Sequence, residues 1–131
     1  MIHIYKLYVR SILEQSSVVW ASSITESEAA ALERCQKTFL RLLNKSKYGS
    51  YLSSLQRSGL TTIRSRHMLL QNRFAEKCIS NDKTSDIFPE NTKSFDSRKT
   101  ERFHVAKARM QRLANSSQPQ MAQYLNTKYS I

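Results

Sequence analysis

The chain has 131 residues with 21 Lys and Arg against 10 Asp and Glu, a formal charge of +11, and only two Gly, two Pro and two Cys. That length gives room for one core without staples, the scarcity of Gly and Pro points away from a sandwich or barrel, and two cysteines make no disulfide framework. The charge predicts attraction to polyanions, nucleic acid before anionic membrane. No run reaches the ~18 apolar residues of a membrane span, and the apolar start is broken by His3, Lys6 and Arg10, a poor signal peptide. The expectation is an intracellular protein of nucleus or cytoplasm, with no membrane partner.

In chain order, the first helix is expected from about His3 to Trp20. Lys6, Arg10, Glu14 and Ser17 form one narrow polar stripe, and nearly everything else is apolar: Ile4, Leu7, Tyr8, Ile12 and Val19 on one flank, Tyr5, Val9 and Leu13 on the other. Such a helix belongs in the middle of a bundle, with Tyr5, Tyr8 and Trp20 as core packing. Thr25 and Glu28 make a capping box for a second helix running to about Asn44. Leu32, Cys35, Phe39, Leu42 and Leu43 share its core arc, and Arg34, Lys37, Arg41 and Lys45 lie on the far side. Acids are scarce after Glu33, so those cations repel one another and suit an anion.

A short helix is expected from Tyr51 to about Arg57. It ends at Gly59 in the left-handed position, with Leu60 folding back near Leu55. Thr61 or Thr62 caps the next helix, to about Ser80, with Ile63, His67, Leu70, Phe74 and Cys78 on one face and Leu69 beside them. Residues 1 to 80 thus read as a bundle of about four helices. Residues 81 to 100 form a polar loop or linker, with one turn near Ser85 to Phe88 stopped by Pro89. Residues 101 to 131 form a weakly tethered basic tail. The cations Arg98, Lys99, Arg102, Lys107, Arg109 and Arg112 precede or open it. A last short helix follows, capped by Ser117 with Pro119 in its first turn, and Met121, Tyr124 and Leu125 make its docking face. The fold class is all-α.

Four stretches in order carry a family resemblance: "YKLYVRSILEQSSVVW" (Tyr5 to Trp20) followed by "LERCQKTFLRLL" (Leu32 to Leu43), then "YLSSLQRSGLTTIRSR" (Tyr51 to Arg66), "NRFAEKC" (Asn72 to Cys78) and "RLANSSQPQMAQYLN" (Arg112 to Asn126). They resemble the segment after the catalytic palm in reverse transcriptases of non-LTR retrotransposons, the last stretch matching arthropod elements. The resemblance implies a thumb, a helical bundle lying against the primer and template duplex, in an RNA-directed DNA polymerase.

The chemistry of such a polymerase needs paired aspartates holding two magnesium ions. Asp82, Asp86 and Asp96 all lie in the polar loop, so no catalytic residue is assigned and the chain is expected to be no enzyme by itself. His67 and Cys78 are about 16 Å apart on one helix, too far to share a metal ion, and His67 reads as a core or boundary histidine. With no phosphate loop and no nucleophile elbow, no cofactor or small-molecule substrate is expected.

The partner implied is RNA, DNA or their hybrid, held without sequence readout through Arg34, Lys37, Arg41, Lys45, Arg98, Lys99, Arg102, Lys107, Arg109 and Arg112. The alternatives are a helical protein-interaction module whose apolar surface meets a palm domain or a second copy, or a remnant with no independent function.

Overall fold

The structure is a computed structural model and describes residues 1–45, 49–91 and 101–129. The fold is all-α. Its helices are α1, built from the consecutive segments Ile2–Ile4, Tyr5–Arg10 and Ser11–Glu14, then α2 (Ser17–Trp20), α3 (Glu26–Asn44), α4 (Tyr51–Ser58), α5 (Ile63–Ile79), α6 (Gln111–Ala114) and α7 (Ser117–Lys128). Among the described residues the only β pairing is an isolated antiparallel bridge, Glu90 with Phe103.

The boundaries follow local chemistry. Thr25 caps α3 through the full reciprocal box with Glu28, and Ser50 and Ser53 do the same for α4. At the end of α4 the Gly59 amide donates to the Gln56 carbonyl at 3.2 Å and the Leu60 amide to the Leu55 carbonyl at 3.1 Å. Gly59 sits at φ 61°, and Leu55 and Leu60 are both buried, so the motif stops the helix and closes its apolar contact together. A Cβ at Gly59 would meet nothing within 4 Å, leaving only the backbone penalty of the left-handed region. Gly59→Ala is therefore expected to cost about 1 kcal/mol in a urea melt, and a cost above about 3 kcal/mol would show that packing matters there.

The first helix departs from its expected continuity and orientation. Gln15 and Ser16 break it, with Ser16 left-handed at φ 54°, and α2 starts afresh. The middle segment, Tyr5–Arg10, is π-helical. Its wider turn puts Tyr5 and Arg10 on the same inward face. Arg10, Glu14 and Ser17 of the polar stripe point inward, Lys6 stays exposed, and the apolar flank points outward. Arg10 and Ser17 are buried, whereas Tyr8 is 68% and Ile12 70% exposed, with Ile4, Leu7 and Val19 also exposed. The physical reason is a connected ionic cluster. Arg10 Nε donates to Glu14 at 2.7 Å, Arg66 Nε donates to the same Oε1 at 3.0 Å, and Arg10 also reaches Thr61 Oγ1 at 3.2 Å. A paired and hydrogen-bonded cluster can stay inside where a lone charge could not. Of the aromatic residues assigned to the core, Tyr5 is buried and Trp20 half-buried, but Tyr8 is not.

Two apolar clusters result. One joins α1, α3 and α4 through Tyr5, Leu40, Leu55 and Leu60, with Phe39 stacked on Tyr5 at 4.2 Å between centroids. On α3 the inward residues are Gln36 and Leu40, with Phe39 and Leu43 partly buried, while Cys35 and Leu42 are exposed. The core arc is thus rotated from the one expected, because Gln36 is drawn inward. It accepts from Tyr5 Oη at 3.0 Å and donates to the Thr61 carbonyl at 2.8 Å and to Tyr51 Oη at 3.1 Å.

The second cluster gathers Ala75 and Cys78 of α5, Phe88, Phe103, and Met121, Ala122 and Leu125 of α7. The inward face of α5 is Ile63, His67, Gln71, Ala75 and Cys78, leaving Leu69 and Phe74 exposed. In place of a weak tether, the described part of the tail is docked. Phe103 is 2% exposed, its amide donates to Asn126 Oδ1 at 2.8 Å, and Asn126 Nδ2 donates back to its carbonyl at 3.0 Å. Met121 and Leu125 face the core as expected, with Tyr124 partly buried beside them. The cap of α7 is Ser116 rather than Ser117. Ser117 is buried instead and donates to the Val19 carbonyl, within reach of Gln71 Nε2 and Ser22 Oγ. No described helix is long and apolar enough to cross a membrane.

Candidate nucleic-acid interface

The outer face of α3 positions four of the expected cations. Arg34, Lys37, Arg41 and Lys45 are all exposed, spaced by three and four residues along one side, with Lys45 as the C-cap. At about 1.5 Å per residue the row spans roughly 16 Å, a length over which several phosphates of a duplex recur.

What keeps that face positive is where the acids go. Glu33, the last acid before Lys45 in sequence, turns inward: its Oε2 accepts from the Ile63 amide at 2.9 Å and its Oε1 accepts from Tyr51 Oη. Glu28 is spent on the cap, and the Thr25 amide and hydroxyl that bond it hold its carboxyl below the ordinary range, helped by the charge of Arg112. Glu14 takes Arg10 and Arg66, Glu26 takes Arg64, and Glu90 takes Arg102. Glu76 takes Lys128, and that bond, with one from Tyr124, pulls its carboxyl down. Among the described residues no ion pair holds Arg34, Lys37 or Lys45.

The tail cations are distributed differently. Lys107, Arg109 and Arg112 are exposed, and Arg112 lies near the first turn of α3 rather than beside the row. Arg102 is exposed, but Glu90 neutralises it at 2.9 Å and its guanidinium sits 5.5 Å from the Phe103 ring centre, so it braces the Glu90 and Phe103 bridge. Arg98 and Lys99 lie outside the described residues. The row on α3 is therefore the most coherent cationic surface among the eight of these residues that are described, and Lys107, Arg109 and Arg112 add a second group.

His67 is buried, with Nε2 at 2.9 Å from the Leu13 carbonyl and the Trp20 ring edge-on at 5.1 Å, which is a structural role between α1, α2 and α5. Both cysteines are free, Cys35 exposed and Cys78 buried, and burial pushes the Cys78 thiol up. Sequence reasoning placed the apolar flank of α1 in the core and raised its exposure only in the alternative reading of an interaction module, because a helix with one narrow polar stripe gives no local cue that the stripe faces in. A cleft of about 570 Å³ lies between α3, α5 and α7, lined by Arg64, Gln71, Asn72, Gln120 and Tyr124 among others.

No protein-family model, no curated protein and no solved structure matches this chain.

Proposed function

We propose that the chain is a thumb-like C-terminal segment of a non-LTR retrotransposon reverse transcriptase, without polymerase chemistry of its own, that binds RNA, DNA or their hybrid non-specifically inside the cell, in nucleus or cytoplasm. The family part of this reading rests on the four ordered stretches from Tyr5 to Asn126 and on the all-α bundle that they were expected to form. The binding part rests on one observation: Glu33 is turned toward the Ile63 amide and Tyr51, and among the described residues no ion pair holds Arg34, Lys37 or Lys45, which share an exposed helix side with Arg41 in a chain of formal charge +11. Lysines and arginines on such a row neutralise phosphates and release condensed counterions, giving affinity without base recognition.

Fluorescence anisotropy of the purified chain with a labelled RNA–DNA hybrid tests it. With four or more phosphates contacted, the logarithm of the association constant is expected to fall with log salt at a slope near −3.6 or steeper between about 50 and 200 mM, taking the B-form coefficient. A flat or undetectable response overturns the binding reading. The second reading, a protein-interaction module, is favoured by a different observation, the outward apolar flank of α1.

A further inference from the structure

The cleft of about 570 Å³ between α3, α5 and α7 is lined by two buried side chains four residues apart on α5, His67 at 4% and Gln71 at 7% exposure. Each uses only one arm to hold the fold. The Val18 carbonyl, 3.3 Å from Gln71 Nε2, can only accept, which fixes the amide nitrogen on that side, where it also meets Ser22 Oγ at 3.0 Å. The Leu13 carbonyl, at 2.9 Å, fixes a hydrogen on His67 Nε2 in the same way, so Nδ1 of the neutral imidazole is an acceptor. No described group bonds Gln71 Oε1 or His67 Nδ1. Neither is shut away, since the fully buried side-chain atoms without a partner among the described residues are Ser17 Oγ, Asn44 Nδ2 and Ser54 Oγ. The two acceptors are open to solvent, and the cleft is the opening that both residues line.

Two free acceptors side by side suit a ligand that donates twice. Side chains four apart on a helix are neighbours at about 5–6 Å between Cβ atoms, and the two hydrogens of a planar amino group, set at about 120°, reach acceptors about 5 Å apart at ordinary bond lengths. A cationic amine is disfavoured. Glu26 is the only acid among the described lining residues, and Arg64 already holds it through two contacts at 2.8 and 2.9 Å. The +11 charge of the chain adds repulsion. An amine stays neutral when its lone pair is delocalised into a ring, and a ring has flat faces for Leu32, Met68 and Tyr124, which also line the cleft. Asn72 stands there too, with the donor and acceptor pair that carboxamides use to read an adenine edge. The volume lies within the ~300–1,000 Å³ of small-molecule sites. We infer that the cleft binds an amino-bearing nucleobase, adenine above all, with its exocyclic amino group between Gln71 Oε1 and His67 Nδ1, the base coming from a free nucleoside or from an unpaired position of a strand. None of Arg34, Lys37, Arg41 and Lys45 lines the cleft, so this site stands apart from the row on α3.

Nitrogen–proton correlation spectra of the full chain, titrated with adenosine to about 10 mM, test the inference. The expected result is a shift of the Gln71 side-chain amide and of the His67 ring nitrogens. Purine riboside, which lacks the amino group, and the dimethylamino analogue of adenosine, whose amino nitrogen has no hydrogens, are each expected to bind at least tenfold more weakly. These comparisons leave the protein untouched, so no variant has to fold for them to decide. His67→Phe keeps a ring against Trp20 but removes the acceptor, and is expected to weaken adenosine binding at least tenfold with the helical circular dichroism retained. A single-stranded oligodeoxyadenylate forms the second arm: the same shifts at the affinity of adenosine assign recognition to the base alone, and the same shifts at tighter binding assign the base to a strand. Adenosine carries no phosphate, so its binding is expected to be indifferent to salt, unlike that of the hybrid, and the two readings fail separately. Unmoved Gln71 and His67 signals with both adenosine and the strand overturn the inference, and so does purine riboside binding as well as adenosine.

Discussion

Replacing Arg34, Lys37, Arg41 and Lys45 together by alanine is expected to flatten the salt slope of hybrid binding by about 3.6 and to weaken binding near 0.1 M salt roughly 10³-fold, if each side chain meets one phosphate. The fold should survive, because all four are exposed. Surface changes of this kind usually move stability by less than about 0.5 kcal/mol each, and removing like charges from one helix face relieves repulsion. Anisotropy across a salt series reads the first effect and a urea melt reads the second. Replacing Lys107, Arg109 and Arg112 by alanine is the companion measurement, and there the slope is expected to change by less. Full loss of binding in the tail variant, with the α3 variant unaffected, would move the interface to the tail and refute the assignment.

The largest expected loss of stability comes from Tyr5→Ala. Tyr5 is 1% exposed, stacks on Phe39 at 4.2 Å and donates to Gln36 Oε1 at 3.0 Å, so the substitution removes an aromatic ring from the centre of the cluster shared by α1, α3 and α4 and strands part of Gln36. A cost of about 3–5 kcal/mol is expected, a large share of the stability of a domain this size. Tyr5→Phe keeps the ring and loses the hydroxyl bond, for about 1–2 kcal/mol. Chemical denaturation of both variants measures the difference. If the two cost the same, the ring contributes little and the hydroxyl bond to Gln36 carries the contribution of Tyr5. Burial also pushes the Tyr5 phenol up to about 12 from 10, partly opposed by the charge of Arg10. A phenol whose pKa is raised by folding favours the folded state below pH 10, and that advantage is lost as pH climbs from 10 to 12. The alkaline limb of the stability curve should therefore flatten in Tyr5→Phe.

Much of this architecture is legible locally. The box at Thr25 and Glu28, the left-handed Gly59 with Leu60 closing on Leu55, the cap at Thr62 and the docking residues Met121 and Leu125 all follow from interactions within a few residues, which a sequence carries complete. The outer row Arg34, Lys37, Arg41 and Lys45 was equally readable, since helical spacing alone fixes which residues share a side.

Less legible were features set by partners far away in sequence. Phe88 and Phe103 stand in polar stretches that read as loop and loose tail, yet both enter the core beside Cys78 because Asn126 and the Glu90 bridge hold the backbone there. Ser117 reads as a cap and is used instead to join α7 to the Val19 carbonyl.

By itself the sequence determined the helical class, most helix ends and the cationic row, because capping, turn chemistry and the 3.6-residue period act over short range. Only the tertiary structure decided which side of α1 and α3 faces inward. For α1, hydropathy argued for burying Ile4, Tyr8 and Ile12. Arg66 and Thr61, more than fifty residues away along the chain, satisfy Arg10 and Glu14 and reverse the choice, because a paired charge can remain inside while an exposed apolar ridge costs only its contact with water.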